Sequence, residues 1–212
     1  MDKALPIARS ELILGGQKSG KSRRAESLAQ HWLAQSTAHR AVMIATAQAW
    51  DDEMRQRIAR HQADRARRVP GMTTVEESLQ LAQAVGRHSR PDTLIVVDCL
   101  TLWLTNWLMP AQAEAATDAI PQSVEADRCF LKNPSPALMH QSQTALFLEA
   151  MGQASGPLVL VGNEIGLGVI PLGREVRSFV DALGLLNQSV AQQCQRVTLM
   201  AAGLPLTLKD TS

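Results

Sequence analysis

The chain has 212 residues and a mass of 23.0 kDa, which suffices for one well-buried core but not for two enzyme domains. Its 21 lysines and arginines nearly balance 20 acidic residues, so the protein lacks the strong positive field that attracts a polyanion. We therefore expect a single domain over residues 1–212 and a partner other than nucleic acid.

The cysteines and the apolar runs indicate where the protein works. Cys99, Cys129 and Cys194 are odd in number and lack the paired spacing of a metal site, which favours a reducing compartment. The N-terminal residues contain no apolar core of a signal peptide. The longest apolar run, Leu94–Leu104, is interrupted by Asp98 and is too short to span a bilayer. We expect a cytoplasmic protein with no membrane span.

Short β-branched runs alternate with longer stretches compatible with helices. The predicted strands are Glu11–Leu14, Ala41–Ala45, Thr93–Val97, Leu158–Val161 and Val197–Ala201. Such alternation predicts an α/β fold in three layers, with a mainly parallel sheet covered by helices on both faces. Leu204–Lys209 follows a tight turn and is a possible antiparallel edge strand. Residues 110–136 are rich in proline and small residues, and we interpret them as a surface insertion.

A glycine-rich segment follows the first predicted strand and matches the pattern G-x-x-x-x-G-K-[ST]. In such a loop the backbone N–H groups and the start of the next helix surround a polyphosphate. The lysine would reach the outer phosphates and the last serine would ligate Mg²⁺. A turn that merely joins strand to helix is the alternative. The segment consists of Gly15, Gly16, Gln17, Lys18, Ser19, Gly20, Lys21 and Ser22.

Asp98 closes a second apolar strand and is the candidate partner of the metal. A buried carboxylate is costly unless a cation or several donors lie nearby, and Mg²⁺ beside the phosphate loop would supply that cation. The alternative is that Asp98 caps the helix that begins near Leu100.

The spacing from Asp51 to about Arg68 predicts a helix, with acidic residues in its first turn and arginines in its last. His61 shares one face of that helix with Met54, Ile58 and Arg65. Such a histidine could be packed in the core, which is the more common case, or it could point into a cleft.

Several segments together resemble one family, the bifunctional adenosylcobinamide kinase and adenosylcobinamide-phosphate guanylyltransferases of cobalamin biosynthesis. The similarity covers about Leu12 to Lys209, and its blocks occur in the family's order. The matching blocks are Gly15 to Arg23; Ala45-Thr46-Ala47 with Asp52-Glu53-Met54, Arg57-Ile58 and His61; Asp98-Cys99-Leu100-Thr101 with Trp103-Leu104 and Asn106; Asn163-Glu164 through Pro171; and Arg177 through Asn187-Gln188.

The resemblance implies a P-loop enzyme with two activities. It would phosphorylate adenosylcobinamide with ATP or GTP, and then transfer GMP from GTP to that phosphate with release of pyrophosphate. In the family, a histidine at the position of His61 carries the GMP covalently, and the enzyme is a homotrimer. Lys21 and His61 are then the expected catalytic residues, and Ser22 and Asp98 the expected Mg²⁺ ligands.

Further residues are expected to contact the ligands. Thr46 is expected to contact the nucleotide, and Glu76 or Glu77 to contact the guanine or the ribose. Asn163 and Glu164 follow a strand at the edge where open α/β sheets bind ligands, so they are candidate contacts to the substrate or the metal. A turn with a helix cap is the alternative for that segment.

The chain departs from the family pattern at a few positions. Met72 replaces a common tryptophan, Val180 replaces a common arginine, and the 110–136 segment is long. Two other interpretations stay open. One is a P-loop small-molecule kinase without guanylyl transfer, in which His61 is structural. The other is a nucleotide-gated regulatory ATPase or GTPase that acts on a protein partner.

Overall fold

The architecture comes from a computed structural model that describes residues 7–49, 51–109 and 136–211. The strands are β1 Ser10–Gly15, β2 Arg40–Ala45, β3 Met72–Glu76, β4 Thr93–Asp98, β5 Leu158–Val161, β6 Arg196–Ala201 and β7 Leu204–Asp210. The helices are α1 Lys21–Gln35, α2 Asp52–Arg68, α3 Leu81–His88, α4 Leu100–Leu108, α5 Pro136–Gln153 and α6 Arg174–Gln193.

The strands form one seven-stranded sheet in the order β3-β2-β4-β5-β1-β6-β7. Neighbours pair in parallel, except that β7 pairs antiparallel with β6 at the edge. The α/β class, the mainly parallel sheet and the antiparallel edge strand are therefore confirmed. β5 lies between β1 and β4. Only this one strand therefore separates β1, which leads into the glycine-rich loop, from β4, which ends at Asp98.

Helices cover both faces of the sheet. One face packs against α1, whose Ala25 and Leu28 join the core formed by alternate residues of the strands. The opposite face packs against α3, α4, α5 and α6 through residues such as Trp103, Phe147 and Leu186. Because the central strands are buried on both sides, they are almost continuously apolar, which made them visible in the sequence. The three-layer arrangement is confirmed.

β3 is absent from the strands predicted from the sequence. Its side chains are mostly exposed at the edge of the sheet, so the segment contains no apolar run that would mark a strand. The predicted helix over Asp51–Arg68 is confirmed, with Asp51 as the N-cap whose Oδ1 accepts a hydrogen bond from the Met54 N–H at 2.6 Å.

The predicted insertion and the predicted absence of a membrane span can be compared only with the residues that the structure describes. The insertion predicted at 110–136 lies outside the described residues except for Pro136, where α5 begins. None of the helices in the described ranges combines the length and the apolar character that a membrane crossing requires.

Candidate functional site

The glycine-rich segment forms the loop between β1 and α1 and is closely packed at its start. Gly15 has φ +151°, and a Cβ placed there would lie 2.5 Å from the Met200 carbonyl oxygen and 2.6 Å from the Ser19 Oγ. At the other end, Gly20 has φ +102° and precedes the first turn of α1. The turn between β6 and β7 supports the loop, because the Gly203 N–H donates to the Ser19 carbonyl at 3.0 Å. This path requires glycine at the two positions.

Lys21 is buried beneath this loop. Its Nζ donates to the Gly16 carbonyl oxygen at 2.6 Å, and among the described residues no carboxylate forms an ion pair with it. Burial lowers the pKa of the Lys21 ammonium, and the nearby Cys99 and Asp98 offset part of that effect. A desolvated ammonium held by a carbonyl alone is suited to receive an anion such as a phosphate.

Ser22 and Asp98 meet although they lie 76 positions apart in the chain. The Ser22 Oγ donates to the Asp98 Oδ2 at 2.9 Å, so the loop and the end of β4 present adjacent oxygen atoms. The alternative role of Asp98 as a helix cap is wrong. The N-cap of α4 is Cys99, and no side chain caps that helix.

Thr46 is fully buried and joins the ends of two strands. Its hydroxyl donates to the Cys99 carbonyl at 2.7 Å and accepts from the Cys99 N–H at 2.9 Å. The buried Asn106 of α4 donates to the Thr46 carbonyl at 2.8 Å and to the Ser78 carbonyl at 3.0 Å. Thr46 thus fixes the β2 and β4 ends around the site, and its contact with a nucleotide stays a prediction. Asn106 has the same supporting role; in the sequence it is only a member of a block that resembles the family, with no role assigned to it.

His61 is exposed and faces the cleft above the glycine-rich loop. Met54, Ile58 and Arg65, which share its helical face, line the same cleft. The interpretation of His61 as a packed core histidine is therefore wrong, because the common face of α2 borders an open cavity.

Polar contacts hold α2 beside the sheet. The Arg68 guanidinium pairs with the buried carboxylate of Glu26 on α1 at 2.9 Å. Toward β3, the Gln62 Nε2 donates to the Glu76 Oε1 at 3.1 Å, and the buried Arg65 donates to the Thr74 Oγ1 at 3.2 Å. These contacts fix the helix that carries His61 relative to both the loop helix and the edge strand.

One cleft of about 1240 Å³ brings most of the predicted residues together. Gly15, Gly16, Thr46 and Glu164 are not among the residues that line it, although they are bonded or adjacent to residues that are. The predicted residues that line the cleft are Gln17, Lys18, Ser19, Gly20, Lys21, Ser22, His61, Glu76, Glu77, Asp98 and Asn163.

The structure distinguishes the two neighbouring glutamates at the end of β3, where Glu76 is the last strand residue and Glu77 follows it. The Glu77 Oε1 already accepts from the Leu79 N–H at 2.9 Å and from the Gln80 N–H at 2.8 Å, so this carboxylate holds the turn before α3. Glu76 is exposed in the cleft and carries only the contact from Gln62 among the hydrogen bonds recorded for the described residues. Glu76 is the better placed of the two to contact a ligand.

Asn163 and Glu164 begin the loop after β5 and are bonded to the surrounding core. The Asn163 N–H donates to the Thr101 Oγ1 at 2.8 Å, and the Glu164 N–H donates to the Gly15 carbonyl at 3.2 Å. The buried Asn187 of α6 donates to the Asn163 carbonyl at 3.1 Å and to the Glu164 Oε2 at 3.4 Å. The helix-cap alternative is wrong, because α6 begins at Arg174 with no side-chain cap.

Met72 and Val180, at which the chain departs from the family pattern, do not line the cleft. Met72 is half-buried on β3 and packs against the core on the α1 side of the sheet. Val180 is half-buried on α6. Neither residue borders the cleft in this structure.

Known proteins of one family match almost the whole chain. A family model described as cobinamide kinase / cobinamide phosphate guanyltransferase matches residues 11–208. The bifunctional adenosylcobalamin biosynthesis protein CobP of Pseudomonas aeruginosa is 44% identical over 200 residues, which cover 94% of this chain and 96% of that protein. The corresponding CobU protein of Escherichia coli is 29% identical over 203 residues, covering 93% and 98%.

Among solved structures, the flagellar accessory protein FlaH from Methanocaldococcus jannaschii resembles the chain with a TM-score of 0.46 and 13% identity, covering 96% of this chain and 80% of that one. The family match spans nearly all of the sequence, including the glycine-rich loop, Asp98 and His61. The chain belongs to the cobinamide kinase / cobinamide phosphate guanyltransferase family.

Proposed function

We propose that this protein phosphorylates adenosylcobinamide with ATP or GTP and then transfers GMP from GTP to the new phosphate, releasing pyrophosphate. The observation that carries the proposal is that a phosphate-binding loop and an exposed histidine, His61, border the same cleft. A kinase alone needs the loop and no protein nucleophile. The exposed imidazole supplies the additional group that guanylyl transfer through a covalent intermediate requires.

In the kinase step, the hydroxyl oxygen of the acceptor forms a bond to the γ-phosphorus, the bond to the β–γ bridging oxygen breaks, and the hydroxyl proton passes to water. The loop N–H groups of residues such as Gly20 would hold the phosphates, and Lys21 would neutralise the charge that develops on the transferred group. The Lys21 ammonium would exchange its contact with the Gly16 carbonyl for contacts with phosphate oxygens.

The oxygen pair of Ser22 and Asp98 fits Mg²⁺, which prefers oxygen ligands and commonly keeps several waters. In the described ranges no group of three or more histidine, cysteine or acidic side chains could hold a metal by itself, so nucleotide oxygens and water would complete the coordination. When bound, Mg²⁺ would supply charge neutralisation of the β- and γ-phosphates. Ser22 and Asp98 are the residues that would hold it.

In guanylyl transfer, a ring nitrogen of His61 attacks the α-phosphorus and pyrophosphate leaves. A phosphate oxygen of the acceptor then attacks the same phosphorus, and the imidazole leaves. Glu76, which is exposed in the cleft, is the proposed contact to the guanine or the ribose. Thr46 is proposed as a further nucleotide contact, and Asn163 and Glu164 as contacts to the acceptor.

We further propose that the protein is cytoplasmic, which the number and spacing of its cysteines favour, and homotrimeric, which rests on the family resemblance. Sedimentation tests the oligomeric state directly. A dilution-independent monomer with full activity would reject the trimer.

The decisive experiment incubates the protein with GTP labelled at the α-phosphate, without acceptor. The wild type is expected to take up label that is lost in acid and kept in base, because protonation makes the imidazole a better leaving group. His61→Asn should take up none, while kinase activity on adenosylcobinamide should persist. His88→Asn, which alters a half-buried histidine at the end of α3 outside the cleft, is the matched control and should label normally.

Each rival function predicts a different result. A kinase without guanylyl transfer would phosphorylate adenosylcobinamide but never become labelled. A regulatory nucleotidase would hydrolyse or exchange nucleotide and would not respond to the corrinoid. Acid-labile label on His61→Asn, mapped to another histidine, would contradict the assignment of the nucleophile.

A further inference from the structure

The loop that follows β5 exposes an unusual set of apolar side chains. Between β5 and α6 the chain forms neither helix nor strand, and from Ile165 to Gly173 it contains no charged residue. Four large side chains of this stretch are almost fully exposed: Leu167 at 80%, Val169 at 96%, Ile170 at 77% and Leu172 at 97%. A concentration of exposed apolar side chains indicates a binding surface on a water-soluble fold. We call these four residues the apolar loop surface.

Hydrogen bonds hold both ends of this loop. At its start, Asn163 is bonded to α4 and α6, through Thr101 and Asn187 respectively. At its end, the Arg177 guanidinium donates to the Pro171 carbonyl at 3.0 Å and also to the Leu172 carbonyl. The apolar side chains are therefore exposed on a backbone that is bonded to α4 and α6 at its start and to the first turn of α6 at its end.

The apolar loop surface belongs to a loop that starts at the phosphate cleft. Asn163 and Ile165, which precede the surface in the chain, line that cleft, and the Glu164 N–H donates to the carbonyl of Gly15, the first residue of the phosphate loop. β5 lies between the strand that leads to this loop and the strand that ends at Asp98. The four residues do not line the cleft themselves, but the loop that carries them begins beside the place where the γ-phosphate would be transferred.

We propose that Leu167, Val169, Ile170 and Leu172 bind the corrin ring of adenosylcobinamide. The inference rests on the proposed function and names where the acceptor binds. A corrin ring carries methyl groups and uncharged carboxamide side chains at its rim, and the hydroxyl to be phosphorylated ends a short arm. Exposed apolar side chains on an uncharged loop match such a ring, because they offer dispersion contact without an unpaired charge. The short arm requires the ring to bind within reach of the phosphate cleft, and the loop that carries this surface starts at the lining of that cleft.

The test is the double variant Leu167→Ser/Leu172→Ser, assayed for phosphorylation of adenosylcobinamide. The KM for adenosylcobinamide is expected to rise at least about tenfold, since two apolar contacts are lost, while the KM for ATP stays unchanged. Acceptor-free labelling of His61 from GTP should be normal, which also shows that the variant is folded. Leu167→Met/Leu172→Met should restore the low KM, because it keeps the apolar contact. Leu208→Ser, which changes a 57% exposed leucine near the end of β7, is the matched control and should behave as wild type.

Two results would overturn the inference. An unchanged KM for adenosylcobinamide in the serine double variant would exclude the surface as the acceptor site. A change in sedimentation of the same variant, with the KM restored when the subunits reassociate at high protein concentration, would assign the surface to contact between copies of this chain. A wild type that takes up label from GTP but never phosphorylates adenosylcobinamide would instead contradict the proposed function, and the two failures are thereby distinguished.

Discussion

Replacing Gly15 by alanine should lower the free energy of unfolding far more than the same change at Gly16. The added Cβ at position 15 would lie 2.5 Å from the Met200 carbonyl oxygen, which belongs to the backbone of β6 and cannot rotate away. Overpacking of this kind costs about 1–3 kcal/mol, and a non-glycine residue at φ +151° costs about 1–3 kcal/mol more. The sum, about 2–6 kcal/mol, is a large part of the roughly 5–15 kcal/mol that stabilises a typical domain.

Urea denaturation without nucleotide measures this difference. Gly15→Ala should lower the midpoint by about 0.7–3 M, given a typical slope of about 2–3 kcal/mol per M. At Gly16 an added Cβ meets nothing within 4 Å, so Gly16→Ala should change the free energy of unfolding by less than about 0.5 kcal/mol. Equal midpoints for the two variants would refute the packing of Gly15 against β6.

Three further predictions follow from burial and charge. Lys21→Met should reduce kinase turnover by orders of magnitude without lowering the melting temperature at pH 7. Because burial lowers the pKa of Lys21, the folded protein releases this proton at a lower pH than the unfolded chain does. The wild type should therefore gain stability relative to the variant as the pH rises toward 10. Cys99 and Cys194, whose burial raises the pKa of each thiol to about 12, should resist alkylation at pH 8 until urea unfolds the protein, as peptide mass spectrometry would show. Arg68→Ala should lower the melting temperature more than Arg67→Ala, because it removes the partner of a buried carboxylate on α1, whereas the Arg67 pair is exposed.

The buried parts of the sheet could be predicted from sequence, and its exposed edge could not. β4 and β5 are covered on both faces, so every residue from Thr93 to Val97 and from Leu158 to Val161 is buried and the apolar run is unbroken. β3 lies at the edge with its threonines exposed, and its pairing with β2 supplies the backbone bonds that its side chains do not indicate. Periodicity reports burial, and a strand that buries little leaves little signal.

The same limit explains why the sequence pattern left the setting of His61 open. The spacing of Met54, Ile58, His61 and Arg65 correctly placed them on one face of α2, but periodicity cannot tell whether a shared face meets a core or a cleft. Only the position of α2 beside β3 and the loop helix makes the face border a cavity. The choice between Glu76 and Glu77 likewise depended on which carboxylate the turn before α3 already uses.

The residues proposed for phosphorylation and the histidine proposed for guanylyl transfer lie in different parts of the fold, so mutations can separate the two activities. Lys21 begins the helix that follows the phosphate loop and Asp98 ends a central strand, so a change at either residue acts on the phosphate loop itself. His61 is exposed on a helix that polar contacts hold at the margin of the sheet, so its imidazole contributes little to packing. Loss of guanylyl transfer in a folded His61→Asn protein, with the kinase retained, therefore reports on chemistry rather than on stability. A defect in both activities points instead to the shared phosphate loop.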